Sequence, residues 1–564
     1  MKSKYTHITI YILLLFLSVS CNEDDFLKEE PQDFFVTETA YKNIDQFQSS
    51  LIDLYAKTRA AIMGDGTNQF GAMAQYFGTD MFQEGRDEEN QPTRFGNYAN
   101  SYNPTNGNIV SFIWNDYYKI VANANTIIAR IENSELTDSE KISVGAEAKF
   151  FRAFAYRYLV YHFGDVPLLT EEIAEPKTDF TRDSKEDVLN LMVQDFSDAA
   201  AGLSDITEVE DGRLHNLVAQ HYLAETYISL GEYGQAITAA SVVIDNPATS
   251  LMTERFGSLA SDTEGNVYYD LFRVGNQNRS SGNTEALWVA QMEVDVPGGL
   301  LSTSSAGPAN LERMHGPLSW TLVDPDGNPG TIGPSSTLNS GGRGIVWIKL
   351  TKFWEKDIWG DDYDIDIRSQ RINLFRDPVY DNPESAYFGM SMLENPPANN
   401  VLDDEPWRIT PYLTKVTTIG QHPDNLYADK EKMLLKNSAG STFRDRYFLR
   451  LAATYLLRAE AYHLNGDNAN AAIDINKIRA RSNGSLINAN EVSIDYILDE
   501  RGRELSFEEP RRLVLHRTGK LVERVRLQNS FNTDDIQDFH NLAPIPLSNI
   551  EANVTGELKQ NPGY

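Results

Sequence analysis

The sequence predicts a mostly α-helical protein built from tetratricopeptide-like helical pairs and split by a large irregular insertion. Three observations carry that expectation. In residues 218–243, Ala219, Tyr222, Leu223, Tyr227 and Leu230 form one apolar stripe, Gly231-Glu232-Tyr233 makes a turn, and Ala236, Ile237 and Ala240 open a second helix. The same plan returns at 455–479, with Leu456, Ala459 and Tyr462, the turn Asn465-Gly466-Asp467, then Ala471, Ala472 and Ile475. Small Ala at the crossing points lets antiparallel helices approach, while Tyr and Leu fill the gaps between neighbouring pairs. Between these stretches, residues 246–440 are rich in Gly, Pro, Asn and Asp and show little helical period, with turn signals such as Asp324-Pro325-Asp326-Gly327-Asn328 and Gly341-Gly342. Generic helical hairpins would leave similar stripes.

From the N-terminus, Lys2 and Lys4 precede an apolar run from Ile8 to Val19, which ends at Cys21, the single cysteine of the chain. An apolar run of about a dozen residues suits the core of a signal peptide and is short for a bilayer span. Residues 1–20 are therefore expected to be a signal peptide, and Cys21 the acceptor of a lipid that anchors the chain. Asn22-Glu23-Asp24-Asp25 opens an acidic tether over residues 21–40. Residues 41–245 read as a helical region with a polar loop at 64–108, and weaker repeat copies fall at 111–131 and 145–200. Residues 441–564 return to helix and close in a Pro-containing extended tail.

Phe150, Phe154 and Tyr158 lie four apart, with Phe151 and Ala155 beside them, which gives a broad apolar helix face. Gly164 then permits a positive-φ stop and Pro167 prevents the helix from resuming. Glu500, Glu504 and Glu508 also lie four apart, interleaved with Arg501, Arg503, Arg511 and Arg512. That pattern fits a metal or acid–base cluster, but the arginines make ion pairing the preferred reading. Asp361, Asp362, Asp364 and Asp366 lack the Gly and closing Glu of a calcium loop, and Arg368 follows them, so a salt-bridged turn is expected. No cofactor or metal is expected.

The net charge is −31, and loss of a leader carrying two lysines makes it more negative. Such a surface repels phosphate backbones and excludes nucleic acid as a natural partner; a neutral ligand is the easier reading. The chain has no His-Glu-x-x-His pair, Gly-x-Ser-x-Gly elbow or phosphate loop. Paired carboxylates, which glycoside hydrolysis needs, are too abundant here to discriminate.

Five segments together resemble the SusD/RagB family of outer-membrane nutrient-binding lipoproteins of Bacteroidetes. They are Ala146-Glu147-Ala148-Lys149-Phe150-Phe151-Arg152-Ala153-Phe154 running on to Phe163-Gly164-Asp165-Val166-Pro167-Leu168; Arg444-Asp445-Arg446-Tyr447 leading into Leu457-Arg458-Ala459-Glu460-Ala461; Asn476-Lys477-Ile478-Arg479-Ala480-Arg481; Glu500 to Glu508; and Pro544-Ile545-Pro546 with Gln560-Asn561-Pro562-Gly563-Tyr564. Their order and spacing match across nearly the whole mature chain. The resemblance implies a SusD-like fold and a cell-surface protein that binds an oligosaccharide, without catalysis, and delivers it to a SusC-like TonB-dependent transporter. It also implies that the loop at 64–108 and the insertion together form the glycan site.

Sugar recognition needs flat aromatic faces for pyranose rings and planar polar groups for vicinal hydroxyls. The loop offers Arg86, Arg94, Phe95, Asn97, Tyr98, Asn100 and Tyr102, and the insertion offers Trp320 and Trp359. Tyr98 and Trp320, flanked by turn residues, are the expected principal stacking rings. Trp347, in Ile345-Val346-Trp347-Ile348, reads as part of a buried strand, and Trp114 and Trp288 as core. Peptide capture of the RagB type, a protein-interaction scaffold and a surface glycosidase stand as alternatives, the last disfavoured because helical repeat scaffolds seldom host one.

Overall fold

The computed structural model describes residues 41–64, 73–86, 97–105, 109–296, 298–302 and 309–564. The expected signal peptide, Cys21 and the tether therefore lie outside the described residues, as do Arg94 and Phe95.

Helix α1 (Ile44–Met63) begins at Asn43, whose side chain accepts from the Gln46 N–H. Helices α2 (Val110–Ile131), α3 (Asp138–Phe163), α4 (Lys185–Gly202), α5 (Asn216–Leu230) and α6 (Tyr233–Ile244) follow, each packed on the one before. The array continues without a break into α7 (Leu451–Leu464) and α8 (Asn468–Arg481), because α6 packs directly on α7. The two halves separated by the insertion are thus one stack of helices. Both predicted turns are present: Gly231 adopts the left-handed conformation between α5 and α6, and Asp467 caps α8 by accepting from the Asn470 N–H.

Helix α3 is the centre of the stack. A capping box between Thr137 and Glu140 starts it, and from Ala146 to Phe163 nearly every residue is buried. Its stripe of Phe150, Phe154 and Tyr158 is wholly inside, with Phe150 and Phe154 packed edge-on against Trp288 at 5.5 and 5.3 Å. The helix stops at Gly164 with φ of 73°. Carbonyls left open at its end are met by the C-terminal tail: the Ala543 N–H donates to His162 O at 2.7 Å, and the Asn561 amide donates to Phe163 O at 2.9 Å. Orphan helix-end carbonyls of this kind need such partners when buried, which gives the tail its structural role.

The insertion holds little regular structure, as expected. Strand β2 (Ala286–Ala290) pairs antiparallel with β8 (Arg446–Arg450), which runs straight into α7. Strand β1 (Phe82–Glu84), from the N-terminal loop, pairs with β3 (Ile348–Leu350) from the insertion. β4 (Leu374–Phe375) pairs with β5 (Tyr412–Leu413), and β6 (Tyr427–Asp429) with β7 (Leu434–Leu435).

A buried ionic network pins this insertion to the helices. In and just after α9 (Ile494–Leu505), Glu500 accepts from Arg368 and Arg479, both at 2.8 Å. Glu504 accepts from Arg368 at 2.9 Å and Arg450 at 2.5 Å, and also from Arg481, while Glu508 binds Arg450 and Lys415. Asp366 holds Arg368 at 2.6 Å, and Glu285 of the insertion holds Arg450 at 2.7 Å. Burial alone would raise the Glu500 and Glu504 carboxyls, but the surrounding guanidiniums outweigh it and hold both far below the usual range. The carboxylates at Glu500, Glu504, Glu508 and Asp366, together with Asp362 paired to Arg479, are thus committed to ion pairs, as expected, but with partners from distant segments: of the interleaved arginines only Arg503 joins, on Glu500.

Candidate functional site

The β1–β3 ladder brings the 64–108 segment and the insertion together, and the candidate site forms beside it. Just past β1, the Gly85 N–H donates to Trp347 O at 2.9 Å, and a Cβ on Gly85 would sit 2.0 Å from Val346 O. On the other side, a Cβ on Gly344 would meet Gly316 backbone carbon at 2.1 Å. Three backbone segments therefore lie in direct apposition, and only glycine fits at those two crossings. The Ile345 and Val346 N–H groups donate to Arg313 O and Gly316 O. Val346 is held at φ of 48°, a conformation that is strained for a β-branched residue.

This platform carries a cluster of three indoles. Trp407 is buried with Leu318, Ile345 and Val346, and the half-buried Trp320 and Trp347 pack against that small core. Trp320 is fixed by its indole N–H, which donates to Gly344 O at 2.8 Å. Guanidiniums lie among the rings: Arg86 over Trp407 at 5.4 Å, Arg313 over Trp347 at 5.6 Å and Arg408 over Trp407 at 5.0 Å. Arg343 adjoins Gly344. Burial, and then the charge of Arg313, push its guanidinium down to about 10. The partly exposed rings with planar cations between them can stack on flat rings and donate to hydroxyls or anionic oxygens.

Of the residues expected from sequence, Arg86 and Trp320 come together here. Tyr98, Tyr102 and Trp359 do not, and the expectation that they are exposed stacking rings is corrected. Tyr98 is 0% exposed: its hydroxyl donates to Gly78 O at 2.6 Å, its ring lies 5.2 Å from Tyr102 and 4.9 Å from His540, and Arg512 sits over it. Its polar sequence neighbours signalled a turn, but the turn is the short helix Tyr98–Ser101, too small to have its own core, so its rings fill the space against α10 (Arg511–Arg517). Tyr102 is likewise buried, its hydroxyl 2.7 Å from His516 Nε2. Trp359 is 3% exposed, edge-on to Trp354 and donating to Trp354 O at 3.0 Å. Asn100 is exposed, but on the same small helix as Tyr98. Asn97 accepts from the Asn100 N–H as the cap of that helix.

Sequence reasoning missed Trp347, Trp407, Arg313 and Arg343. The Ile345-Val346-Trp347 run reads as buried, and Ile345 and Val346 are; Trp347 escapes because alternation through β3 turns every second side chain outward. Trp114 and Trp288, expected as core, are buried. A separate cleft of about 470 Å³ lies between α2 and the tail, lined by Trp114, Tyr118, Phe180, Leu558, Lys119 and Lys177. Its lysines are paired, Lys119 with Asp116 and Lys177 with Asp179.

Fold and site together define a helical-repeat scaffold that presents an aromatic and arginine-lined surface on an inserted lobe. Residues 411–564 match the family described as the SusD family, and residues 25–228 match the one described as starch-binding associating with outer membrane. The chain is 25% identical over 583 residues to SusD-like protein P25 of Formosa agariphila, covering 98% of this chain and 97% of that protein. A shorter stretch of 119 residues is 34% identical to the starch-binding protein SusD of Bacteroides thetaiotaomicron, covering 20% of this chain and 21% of that protein. Among solved structures, a laminarin-binding SusD-like protein superposes with a TM-score of 0.66 at 22% identity, over 93% of this chain and 100% of the other. A SusD superfamily protein from Bacteroides vulgatus gives 0.65 at 17% identity, with the same coverage. The chain belongs to the SusD/RagB family of Bacteroidetes.

Proposed function

We propose that the protein is a lipid-anchored glycan-binding subunit at the cell surface that passes oligosaccharide to a SusC-like TonB-dependent transporter. The observation that carries this reading is the pair of half-exposed indoles, Trp320 and Trp347, fixed on a rigid backbone platform with Arg86 and Arg343 beside them. Indole faces suit the apolar faces of sugar rings, and guanidinium forks suit adjacent oxygens. The starch-binding, outer-membrane description of the matching family and the laminarin-binding relative support the same ligand class. Anchoring rests on the Cys21 context, and delivery to a barrel on family membership.

Two of the carboxylates beside the rings are already engaged. Glu312 is 0% exposed and bonded to His422 and Thr417, and Glu405 is paired with Arg408. Among the described residues these two neighbours of the cluster are committed, whereas a glycosidase needs two carboxyls free to act on the scissile bond.

The test is calorimetric titration of the purified protein with a panel of starch, laminarin, sulfated and uronate oligosaccharides. Loss of one stacked ring removes about 1–3 kcal/mol, by analogy with stacking on bases, or roughly ten- to a hundredfold in affinity. Trp320→Ala and Trp347→Ala should each weaken binding by that amount. Unchanged affinity in both variants would place the site elsewhere.

A further inference from the structure

Guanidiniums gather at the indole cluster although the chain as a whole is acidic. Whole-chain charge is −31, but its reach is screened beyond about 8 Å at physiological salt, so the groups in contact with the ligand decide. Around the indoles they include the guanidiniums of Arg86, Arg313 and Arg408, the last paired with Glu405. Arg86 and Arg313 lie over Trp407 and Trp347, and Arg343 adjoins the Gly344 carbonyl that holds Trp320.

Arg343 is the informative one. Its Nε and Nη1 are both buried and have no hydrogen-bond partner. The charged neighbour acting on it is a second cation, Arg313. Glu312 accepts from the Arg343 backbone N–H at 3.3 Å, and its carboxylate is taken up by His422 and Thr417. In the ionic network, by contrast, Arg368, Arg450, Arg479 and Arg481 each hold two or more carboxylates; Arg273 and Arg444 are buried without a carboxylate, but they lie away from the indoles and donate to backbone carbonyls. A guanidinium cannot shed its charge as a lysine can, and leaving its donors unfilled is costly. An arginine with unfilled donors beside two half-buried indoles is therefore matched to an anion that arrives with the ligand.

We propose that the glycan is acidic, and that Arg343 receives its anionic substituent, a sulfate ester or a uronate carboxylate, while Trp320 and Trp347 stack on the sugar rings. The proposal rests on the glycan-binding reading and names the class of glycan. It also departs from the neutral ligand that whole-chain charge favours.

The experiment titrates the full mature chain with size-matched neutral glucan, sulfated and uronate oligosaccharides at low and physiological salt. One acidic class is expected to bind at least tenfold more tightly than the neutral glucan, with an affinity that falls as salt rises. Preference for the sulfated or the uronate series identifies which oxyanion Arg343 receives. Arg343→Gln should abolish the preference and the salt dependence, and Arg343→Lys, which keeps the charge without the fork, should retain part of both. Circular dichroism melts on the same samples confirm that the variants fold. Equal binding of neutral and acidic glycans, unchanged in Arg343→Gln yet weakened in Trp320→Ala, would overturn the acidic assignment and leave the glycan site standing. Binding that survives Trp320→Ala and Trp347→Ala, or no binding by any member of the panel, would overturn both.

Discussion

Replacing Tyr98 separates a core role from a ligand role. Tyr98→Phe keeps the ring and removes the hydroxyl that donates to Gly78 O at 2.6 Å and accepts from Arg512 Nη1 at 3.2 Å. Gly78 O is then left buried and unpaired, a loss of about 1–3 kcal/mol. Arg512 suffers less, because its Nε still donates to Ala74 O at 2.6 Å and its Nη2 to Phe77 O. Tyr98→Ala also deletes a ring that is 0% exposed and packed between Tyr102 and His540, which costs about 3–5 kcal/mol for the cavity. The assay is urea unfolding followed by tryptophan fluorescence. The midpoint should fall in the order wild type, Phe, Ala, with little change in slope if the denatured state is unaffected. Under conditions where it remains folded, Tyr98→Phe should bind oligosaccharide as the wild type does. Wild-type stability of Tyr98→Ala together with lost glycan binding would refute the burial argument and return Tyr98 to the ligand surface.

Three further outcomes are expected. Glu504→Gln, which removes one charge from among Arg368, Arg450 and Arg481, should destabilise the fold by about 3–5 kcal/mol, seen as a lowered denaturation midpoint; a midpoint equal to wild type would show that the network is dispensable. Acid should destabilise the protein well above the carboxylate range, because burial lowers His162 and His221 to about 3 and His315 to about 4. The unfolded chain takes up these protons first, so the stability present above about pH 6.5 is lost progressively as pH falls toward 4, roughly 2 kcal/mol per histidine by pH 5; a flat profile from pH 7 to 5 would contradict it. For the anchor, labelled palmitate should enter the protein in cells, and Cys21→Ala should abolish the label; labelling that survives would exclude Cys21 as the acceptor.

The helical stack is legible in the order of the residues alone. A 3.6-residue stripe is a local property, so Ala219 to Leu230 and Leu456 to Tyr462 declared their helices, and Gly231 and Gly466 their turns. Interleaved Glu and Arg at 500–512 pointed to ion pairing, and the glutamates are paired, but of the interleaved arginines only Arg503 reaches one of Glu500, Glu504 and Glu508; Arg368, Arg450, Arg479 and Arg481 come to them from elsewhere in the chain. What the sequence left open was which irregular-loop side chains end at the surface. Tyr98 stands among glycines and asparagines yet is buried, because Arg512, more than four hundred residues away, brings a donor and a packing face to it. Trp347 stands in an apolar run yet is half exposed, because pairing of β3 with β1 and the close approach of Gly85 and Gly344 orient that segment. In a helix, burial follows from period; in an insertion without period it is set by long-range contacts, and these gathered Arg86, Arg313, Arg343, Trp320 and Trp347 from separate segments around the buried Trp407.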